Sequence, residues 1–258
     1  MILQHENSPY KRIALVTGAN QGIGLQVAKE LVANGVTVLI GSRNFEKGQS
    51  AAQEIGQGAV PIHLDVTDRV SITVAADRIR SEFGRLDLLI NNAAISRAEN
   101  NDVAAEDYAA MYSASTVSIN EVRGIWETNV FGVLSVYQAM VPLLRHSLDA
   151  RIVNVTSAVG SLSLNSDPSF PFRNMYNPAY AGSKSALNSI TLSMMIEHEG
   201  DGIKVNLVSP EYTKTHLTNH QGTESVQDGC REIVRVALLG PDGPTGTFTR
   251  WENAIIPW

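Results

Sequence analysis

Short apolar runs alternate with longer amphipathic stretches along the whole chain. The runs are rich in Val, Ile and Leu, as strands buried on both faces are. They predict strands at 12–18, 36–42, 59–66, 86–93, 150–157 and 203–210. In the stretches between them, apolar residues recur three and four positions apart, which is the period of a helix with one buried face. These stretches predict helices near 23–34, 45–55, 68–83, 119–147, 179–199 and 224–239.

This alternation predicts an α/β fold, a doubly wound parallel sheet of the Rossmann type with helices on both faces. No linker, repeat or low-complexity segment divides the chain, so we expect a single domain over 1–258. Two irregular insertions, 96–118 and 160–178, each follow a predicted strand. Ligands bind outside the carboxyl ends of strands in such sheets, so both insertions are candidate substrate loops. The alternative is that they are surface excursions without a role.

The composition is that of an ordinary soluble protein, with 43% hydrophobic residues, 18% charged residues and a net charge of −6. The chain has no basic run, which argues against a nucleic acid or an anionic membrane as a partner. Its single cysteine, Cys230, excludes an internal disulfide, and the sequence has neither a signal peptide nor an apolar stretch of membrane-spanning length. We therefore expect a cytoplasmic protein. His216 and His220 lie four positions apart but have no third ligand nearby, so we expect no metal site.

A glycine-rich turn, TGANQGIG at 17–24, joins the first predicted strand to the first predicted helix. Gly18 permits a tight turn, Gly22 lets the backbone approach a pyrophosphate, and Gly24 lets helix and strand pack closely. The helix N-terminus then offers free N–H groups and a positive dipole to an anion. Glycines in turns also have purely structural uses, but the strand–turn–helix context predicts a nucleotide site.

Tyr180 and Lys184 are four positions apart in AYAGSKSAL (179–187) and would be neighbours on a helix. A nearby cation favours the phenolate, so the pair could supply an acid or base closer to neutral pH than a free phenol. The alternative is an exposed helix with two unrelated side chains.

The turn T-G-x-x-x-G-I-G resembles that of the short-chain dehydrogenase/reductase family, and further stretches follow the order of that family's motifs. They are LDVTD (64–68), NNAA (91–94), NV within ETNVFG (127–132), IVNVTS (152–157), the Tyr180–Lys184 pair and NLVSP (206–210). The resemblance extends from about residue 12 to about residue 220.

This resemblance implies four catalytic residues, Asn129, Ser157, Tyr180 and Lys184. Tyr180 would donate a proton to the alkoxide that forms as hydride passes from a nicotinamide to a carbonyl carbon. Ser157 would hydrogen-bond the carbonyl oxygen as charge develops on it. Lys184 would hold the nicotinamide ribose and favour ionisation of Tyr180, and Asn129 would position a water that links Lys184 to solvent.

The resemblance also implies a site for NADP(H). Family members that prefer NAD have an acidic residue near the end of the second strand, whereas this chain has Ser42 followed by Arg43. A guanidinium pairs well with a 2′-phosphate, so NADP(H) is favoured; the alternative is a solvated arginine without a role. The implied cofactor-binding positions are Gly18, Asn20, Gln21, Gly22, Ile23, Gly24, Ser42, Arg43, Asp65, Val66, Asn91, Ala93, Tyr180, Lys184, Pro210, Thr213 and Thr215.

The chain departs from the family pattern at four places, one of which is the long separation of 38 positions between Asn91 and Asn129 that the first insertion causes. Ala94 replaces the usual last glycine of its motif, and Glu211 stands where glycine usually follows Pro210, so a different turn is expected beneath the nicotinamide. Ser157 and Tyr180 are 23 positions apart, which is more than usual, because the second insertion lies between them. Longer insertions before the tyrosine occur in carbonyl reductase-like members, some of which are monomers.

The resulting hypothesis is an NADPH-dependent reductase of ketones and aldehydes. The alternatives are a secondary-alcohol dehydrogenase, a 3-ketoacyl reductase or, in a different class, a non-catalytic NADP-sensing protein. The second insertion has aromatic residues but no basic cluster suited to the phosphate of CoA or a carrier protein, so a lipophilic small molecule is the expected partner. The family commonly forms homo-oligomers through the helices at 119–147 and 179–199, and a monomer is expected if the second insertion covers them.

Overall fold

The computed structural model describes residues 11–99 and 111–258. The described strands are β1 (Ile13–Thr17), β2 (Thr37–Ser42), β3 (Ala59–His63), β4 (Leu88–Asn91), β5 (Arg151–Val155), β6 (Lys204–Val208), β7 (Phe248–Arg250) and β8 (Ala254–Ile255). They form one sheet in the order β3-β2-β1-β4-β5-β6-β7-β8, and every pair is parallel except β7 with β8. The sheet confirms the predicted doubly wound α/β fold.

Helices cover both faces of the sheet. The described α-helices are α1 (Gly22–Ala33), α2 (Phe45–Ile55), α3 (Arg69–Phe83), α4 (Ile119–Trp126), α5 (Val133–Leu144), α6 (Leu162–Ser166), α7 (Tyr180–Glu197) and α8 (Val226–Ala237). The apolar residues of α3, α5 and α7 form one core against the sheet, and those of α1, α2 and α8 form another on the opposite face. Strands buried on both faces account for the continuous apolar runs in the sequence.

The order of the strands reverses next to β1, because β2 and β3 lie on one side of it and β4, β5 and β6 lie on the other. An open parallel sheet binds its ligands outside the carboxyl ends of the strands at this point. Gly18 follows β1 and Ala93 follows β4, and a Cβ placed on Gly18 would lie 3.0 Å from Ala93 Cα. The fold therefore brings the glycine turn and the segment after β4 together at one edge of the sheet.

The helix predicted at 119–147 is two α-helices, α4 and α5, joined by a π-helical turn at Glu127–Gly132. A π turn holds one residue more than an α turn and occurs frequently at functional sites. Asn129 lies in this turn. Gly132 ends it beside Val66, whose Cγ2 would lie 2.9 Å from a Cβ at position 132.

The first insertion is held by the carboxylate of Glu121, which is buried in the first turn of α4. This carboxylate accepts hydrogen bonds from Ala98 N and Glu99 N, both at 2.8 Å. It also accepts one from Tyr112 Oη at 2.9 Å. Residues 100–110, the middle of this insertion, lie outside the described residues.

The second insertion begins with α6 and lies against the segment that follows β8. Ser163 Oγ donates a hydrogen bond to Trp258 O at 2.6 Å, and Ser161 Oγ donates one to Pro257 O. Trp258 also packs edge-on against Phe248 of β7, with ring centroids 6.3 Å apart. The hydrophobic pattern did not predict β7 or β8, because they contain only three and two residues.

Candidate active site

The glycine turn has a backbone conformation that other residues adopt at a cost. Gly18 and Gly22 have φ angles of +63° and +57°, in the left-handed region that favours glycine. Gly24 has no room for a side chain, because a Cβ there would lie 2.6 Å from Gly18 O. Thr17 Oγ1 accepts a hydrogen bond from Ala93 N at 3.0 Å, which fixes the turn to the segment after β4.

The N-terminus of α1 lacks a side-chain cap. Gln21 occupies the cap position without making a capping hydrogen bond, and the first turn of α1 contains no acidic residue. Five other helices, α2, α3, α4, α6 and α8, are capped by Asn44, Asp68, Ser118, Ser161 and Ser225. An uncapped N-terminus presents unsatisfied N–H groups and a positive dipole, so this turn fits a phosphate group. Next to the cap, Asn20 and Ile23 are half-buried.

The two residues at the end of β2 have contrasting surroundings. Ser42 is buried, and its Oγ donates a hydrogen bond to Asn44 O at 2.7 Å. Arg43 is exposed, and its carbonyl oxygen lies 3.1 Å from Nε2 of His63 at the end of β3. A neutral, internally bonded serine and a solvent-facing guanidinium leave this strand end without the acidic group that would repel a 2′-phosphate.

Two of the implied cofactor-binding positions, Asp65 and Asn91, lie near the ends of β3 and β4. Asp65 is half-buried and accepts hydrogen bonds from Thr67 N and Oγ1, at 2.9 and 2.7 Å. Asn91 is buried and donates to Asn154 Oδ1 at 2.8 Å, so it joins β4 to β5. The Oδ1 atom of Asn91 is buried and has no hydrogen-bond partner among the described residues.

The loop after β6 retains a glycine-like backbone although the glycine is absent. Glu211 has a φ of +58°, in the left-handed region that favours glycine. The different turn expected at this position stays a prediction. Arg250 Nη1 lies 3.5 Å from Glu211 Oε1, while partial burial raises the pKa of the Glu211 carboxyl group above its usual value.

The same loop crosses the edge of the sheet to the glycine turn. Thr213 is buried, and its Oγ1 donates to Pro210 O at 2.6 Å. Thr215 lies near the glycine turn, since its Cγ2 would be 3.5 Å from a Cβ on Gly22. The structure thus brings Thr215, one of the predicted cofactor positions, close to the turn that fits a phosphate.

Tyr180 begins α7, and Lys184 lies one turn later, as the spacing predicts. Asn177 Oδ1 accepts a hydrogen bond from Tyr180 N at 2.9 Å and fixes the start of the helix. Lys184 is 3% exposed, and its Nζ donates to Val155 O at 2.9 Å and lies 5.8 Å from the centroid of the Tyr180 ring. Burial disfavours the ammonium form and lowers the pKa of Lys184 to about 8.

Ser157 is held close to α7 by the turn that follows it. Its side chain is half-exposed, and its carbonyl oxygen accepts a hydrogen bond from Gly160 N at 2.9 Å. A Cβ on Gly160 would lie 2.7 Å from Lys184 Cβ, so the turn and the helix are in direct contact there. The candidate serine, tyrosine and lysine therefore share the carboxyl edge of β5.

Asn129 is buried and uses its side chain to join two parts of the site. Its amide group donates to Ile95 O at 2.9 Å and to Ser183 Oγ at 3.0 Å, and it accepts from Ile95 N at 2.9 Å. Ser183 Oγ in turn donates to Tyr180 O at 2.6 Å. Both amide hydrogens are engaged in these bonds, and the water-positioning role implied for Asn129 stays a prediction.

Sequence reasoning missed several polar residues that hold this site together. Ser183 lies between Tyr180 and Lys184, so its place inside the motif was a usable signal. Asn188 hydrogen-bonds both sides of the turn containing Ser157, and Ser96 Oγ donates to Leu217 O at 2.8 Å. The contacts of Asn188 and Ser96 join distant parts of the chain and have no local sequence signature.

The described ranges, 11–99 and 111–258, contain no cluster of three or more His, Cys, Asp or Glu side chains that could bind a metal. His216 and His220 stack edge-on, with centroids 4.8 Å apart. In these same ranges, every helix is too short or too polar to cross a membrane.

Comparison with known proteins decides the family. The sequence profile described as short chain dehydrogenase matches residues 12–225. The chain belongs to this family. A short-chain dehydrogenase of Penicillium roqueforti, anuI, is 35% identical and matches 95% of this chain and 96% of its own length. Salutaridine reductase from Papaver somniferum is 30% identical, with 92% and 94% of the two chains covered.

Among solved structures, the NADPH-bound carbonyl reductase from chicken fatty liver superposes on this short-chain dehydrogenase with a TM-score of 0.79. The two are 26% identical, and the match covers 96% of this chain and 99% of the other. The family membership makes the protein an oxidoreductase. The cofactor preference and the substrate are finer questions.

Proposed function

We propose that this protein reduces uncharged, lipophilic ketones and aldehydes with NADPH, using Tyr180 as the general acid. The observation that carries the proposal is the junction of β5 with α7. There Lys184 is buried one turn after Tyr180 and bonded to Val155 O, and the turn after Ser157 is packed against Lys184. Three groups suited to protonating and polarising a carbonyl oxygen thus meet at one strand end.

The chain's own features fit a dinucleotide. The uncapped start of α1 and the left-handed Gly18 and Gly22 suit the pyrophosphate, and Thr215 lies beside them on the loop after β6. Lys184 and Tyr180 would hold the nicotinamide ribose. When bound, NADPH supplies the hydride for the reduction.

Each proposed catalytic group has one task. Tyr180 donates its phenolic proton to the substrate oxygen, and Ser157 Oγ donates a hydrogen bond to that same oxygen as negative charge develops there. The Lys184 ammonium stabilises the phenolate that remains on Tyr180 after the transfer. Because Lys184 is buried, its charge acts on Tyr180 with little screening by water.

The preference for NADPH rests on Arg43. The exposed guanidinium stands at the end of β2, where Ser42 supplies no competing negative charge. Arginine pairs with phosphate through charge-assisted hydrogen bonds. The name of the structural relative from chicken liver, an NADPH-bound carbonyl reductase, supports the same preference.

The lipophilic substrate class rests on the second insertion. Phe172, Met175 and Tyr176 precede Tyr180 and are 43%, 42% and 39% exposed, which leaves apolar surface on the segment that leads into α7. The charged Arg173 is engaged, since its Nε donates to Asn165 O at 2.9 Å. The names salutaridine reductase and carbonyl reductase among the relatives support a small-molecule carbonyl substrate.

A homologous series of 2-ketones tests the proposal, with NADPH consumption followed by absorbance and NADH run in parallel. Each buried methylene adds about 0.8 kcal/mol, so 1/KM should rise about fourfold per carbon until the pocket is full. Replacing Phe172 and Met175 with Ser should flatten this rise. The matched control is Leu148→Ser, an 86% exposed apolar residue before the amino end of β5.

Two outcomes would contradict the proposal. Highest activity on acetoacetyl-CoA without dependence on ketone chain length would favour the 3-ketoacyl reductase. Tight NADPH binding without turnover on any ketone, aldehyde or secondary alcohol would favour the non-catalytic sensor. The predicted homo-oligomer is tested separately by light scattering at micromolar concentration.

A further inference from the structure

One side chain of α7, that of Asn188, hydrogen-bonds the chain on both sides of Ser157. Thr156 Oγ1 donates to Asn188 Oδ1 at 2.7 Å, and Asn188 Nδ2 donates to Gly160 O at 3.1 Å. Thr156 immediately precedes Ser157, and Gly160 closes the turn that follows it by donating its N–H to Ser157 O. Both ends of the segment that carries the serine are therefore bound to the same amide group.

The chemistry of the site suits an asparagine in particular. One of its two polar atoms must accept a hydrogen bond and the other must donate one, which a primary amide does and a carboxylate does not. Asn188 and Thr156 are 5% and 2% exposed, so water does not readily replace either partner. Aspartate would keep the bond from Thr156 and lose the donor to Gly160, and leucine would lose both bonds.

Asn188 also ties this segment to the helix that carries the proposed acid. It lies one turn after Lys184 and two turns after Tyr180 on α7. Ser185 Oγ reinforces the link by donating to Gly160 O at 2.9 Å. Together with the close approach of Gly160 to Lys184, these bonds fix the register between the serine turn and the helix.

We propose that Asn188 is a positioning residue that sets Ser157 relative to Tyr180. This inference rests on the proposed function, in which both side chains act on one substrate oxygen. An oxyanion donor contributes to rate only when it is aligned with the position that the charged oxygen takes in the transition state. Loss of Asn188 should therefore lower kcat and leave the binding of NADPH at the other strand ends unchanged.

The test is a double-mutant cycle between Asn188→Leu and Ser157→Ala, with kcat measured on the best ketone and the Kd of NADPH measured by fluorescence. Asn188→Leu alone should lower kcat about 10- to 100-fold, somewhat less than the loss of a whole oxyanion donor. In the Ser157→Ala background, Asn188→Leu should lower kcat by less than about twofold, because the hydroxyl that Asn188 positions is already gone. Asn188→Asp should fall between wild type and Asn188→Leu.

Ser189→Ala, an exposed neighbour on α7, is the matched control and should keep wild-type kcat. If Asn188→Leu does not fold, Thr156→Val removes the 2.7 Å bond alone and enters the same cycle. Equal losses in both backgrounds, or a parallel loss of NADPH affinity, would overturn the positioning role and leave the proposed function intact. Wild-type turnover in both Ser157→Ala and Tyr180→Phe would instead overturn the proposed function and the inference with it.

Discussion

Lys184 is 3% exposed beside the carboxyl end of β5, whereas Arg43 faces solvent at the carboxyl end of β2. Both are cations proposed to contact the same cofactor, yet their surroundings are opposite. Lys184 is fixed by its bond to Val155 O, and its neighbours are in turn fixed by Asn188 and Ser183. At the Arg43 end, the described contact is through its backbone carbonyl, beside His63.

The two cations should therefore respond to different kinds of change. Charges in a buried site interact with little screening, and their effect depends on fixed geometry. Charges in solvent are screened by salt over about 10 Å at 0.1 M ionic strength, and their geometry is loose. The catalytic end should therefore be sensitive to small structural changes, and the cofactor-selecting end to ionic strength.

The largest expected effect is at the buried end. Tyr180→Phe keeps the ring and removes the proton donor, so kcat should fall about 10²–10⁴-fold, the usual contribution of general acid catalysis. NADPH binding, measured by fluorescence, should be retained. Tyr137→Phe is the matched control, since it removes a hydroxyl that donates to Glu197 Oε2 at the far end of α7. A Tyr180→Phe enzyme with most of its kcat would show that the acid is another group.

At the exposed end, Arg43→Ala should raise the Kd of NADPH about tenfold and leave that of NADH nearly unchanged. The reason is that only NADPH has a 2′-phosphate to pair with the guanidinium. The difference in the Kd of NADPH between the wild type and Arg43→Ala should narrow as salt increases, because the pair of guanidinium and 2′-phosphate is exposed. Arg123→Ala, which removes an exposed charge from α4, is the control. Equal losses for both cofactors would place the preference elsewhere.

The smallest effect concerns pH. Burial lowers the pKa of Lys184 to about 8, so the free enzyme carries the ammonium below that pH and the neutral amine above it. The kcat/KM for NADPH in the reductive direction reports the free enzyme and should fall as pH rises, reaching half its value at about pH 8. Circular dichroism over the same range controls for unfolding. A profile that is flat from pH 7 to 9 would show that the Lys184 charge is not needed.

The sequence predicted the parts of this molecule that depend on local pattern. The strand and helix alternation indicated the sheet and its two layers, and the spacing of Tyr180 and Lys184 indicated neighbours on a helix. The structure agrees with these predictions, while the catalytic and cofactor roles of the residues remain predictions.

What could not be predicted depends on contacts between distant positions. The bonds of Asn188 reach back 28 and 32 positions, to Gly160 and Thr156. Asn91, an implied cofactor-binding position, donates its amide to Asn154 on the neighbouring strand. Glu211 pairs with Arg250 of β7 and has a left-handed backbone, and neither feature has a local sequence signature. The hydrophobic pattern does not predict such contacts, because each depends on which parts of the chain become neighbours in the fold.

The π turn at Glu127–Gly132 determines where the length of this helix can change during evolution. Because a π turn holds one residue more than an α turn, deleting one residue there would leave an α turn with α4 and α5 close to their present orientations. A deletion inside α4 would instead rotate its first turn by about 100°, and Glu121 would leave the amides of Ala98 and Glu99. A single-codon deletion between 127 and 132 would therefore spare the contacts of α4 and displace Asn129, which lies inside the turn and bonds Ile95 and Ser183.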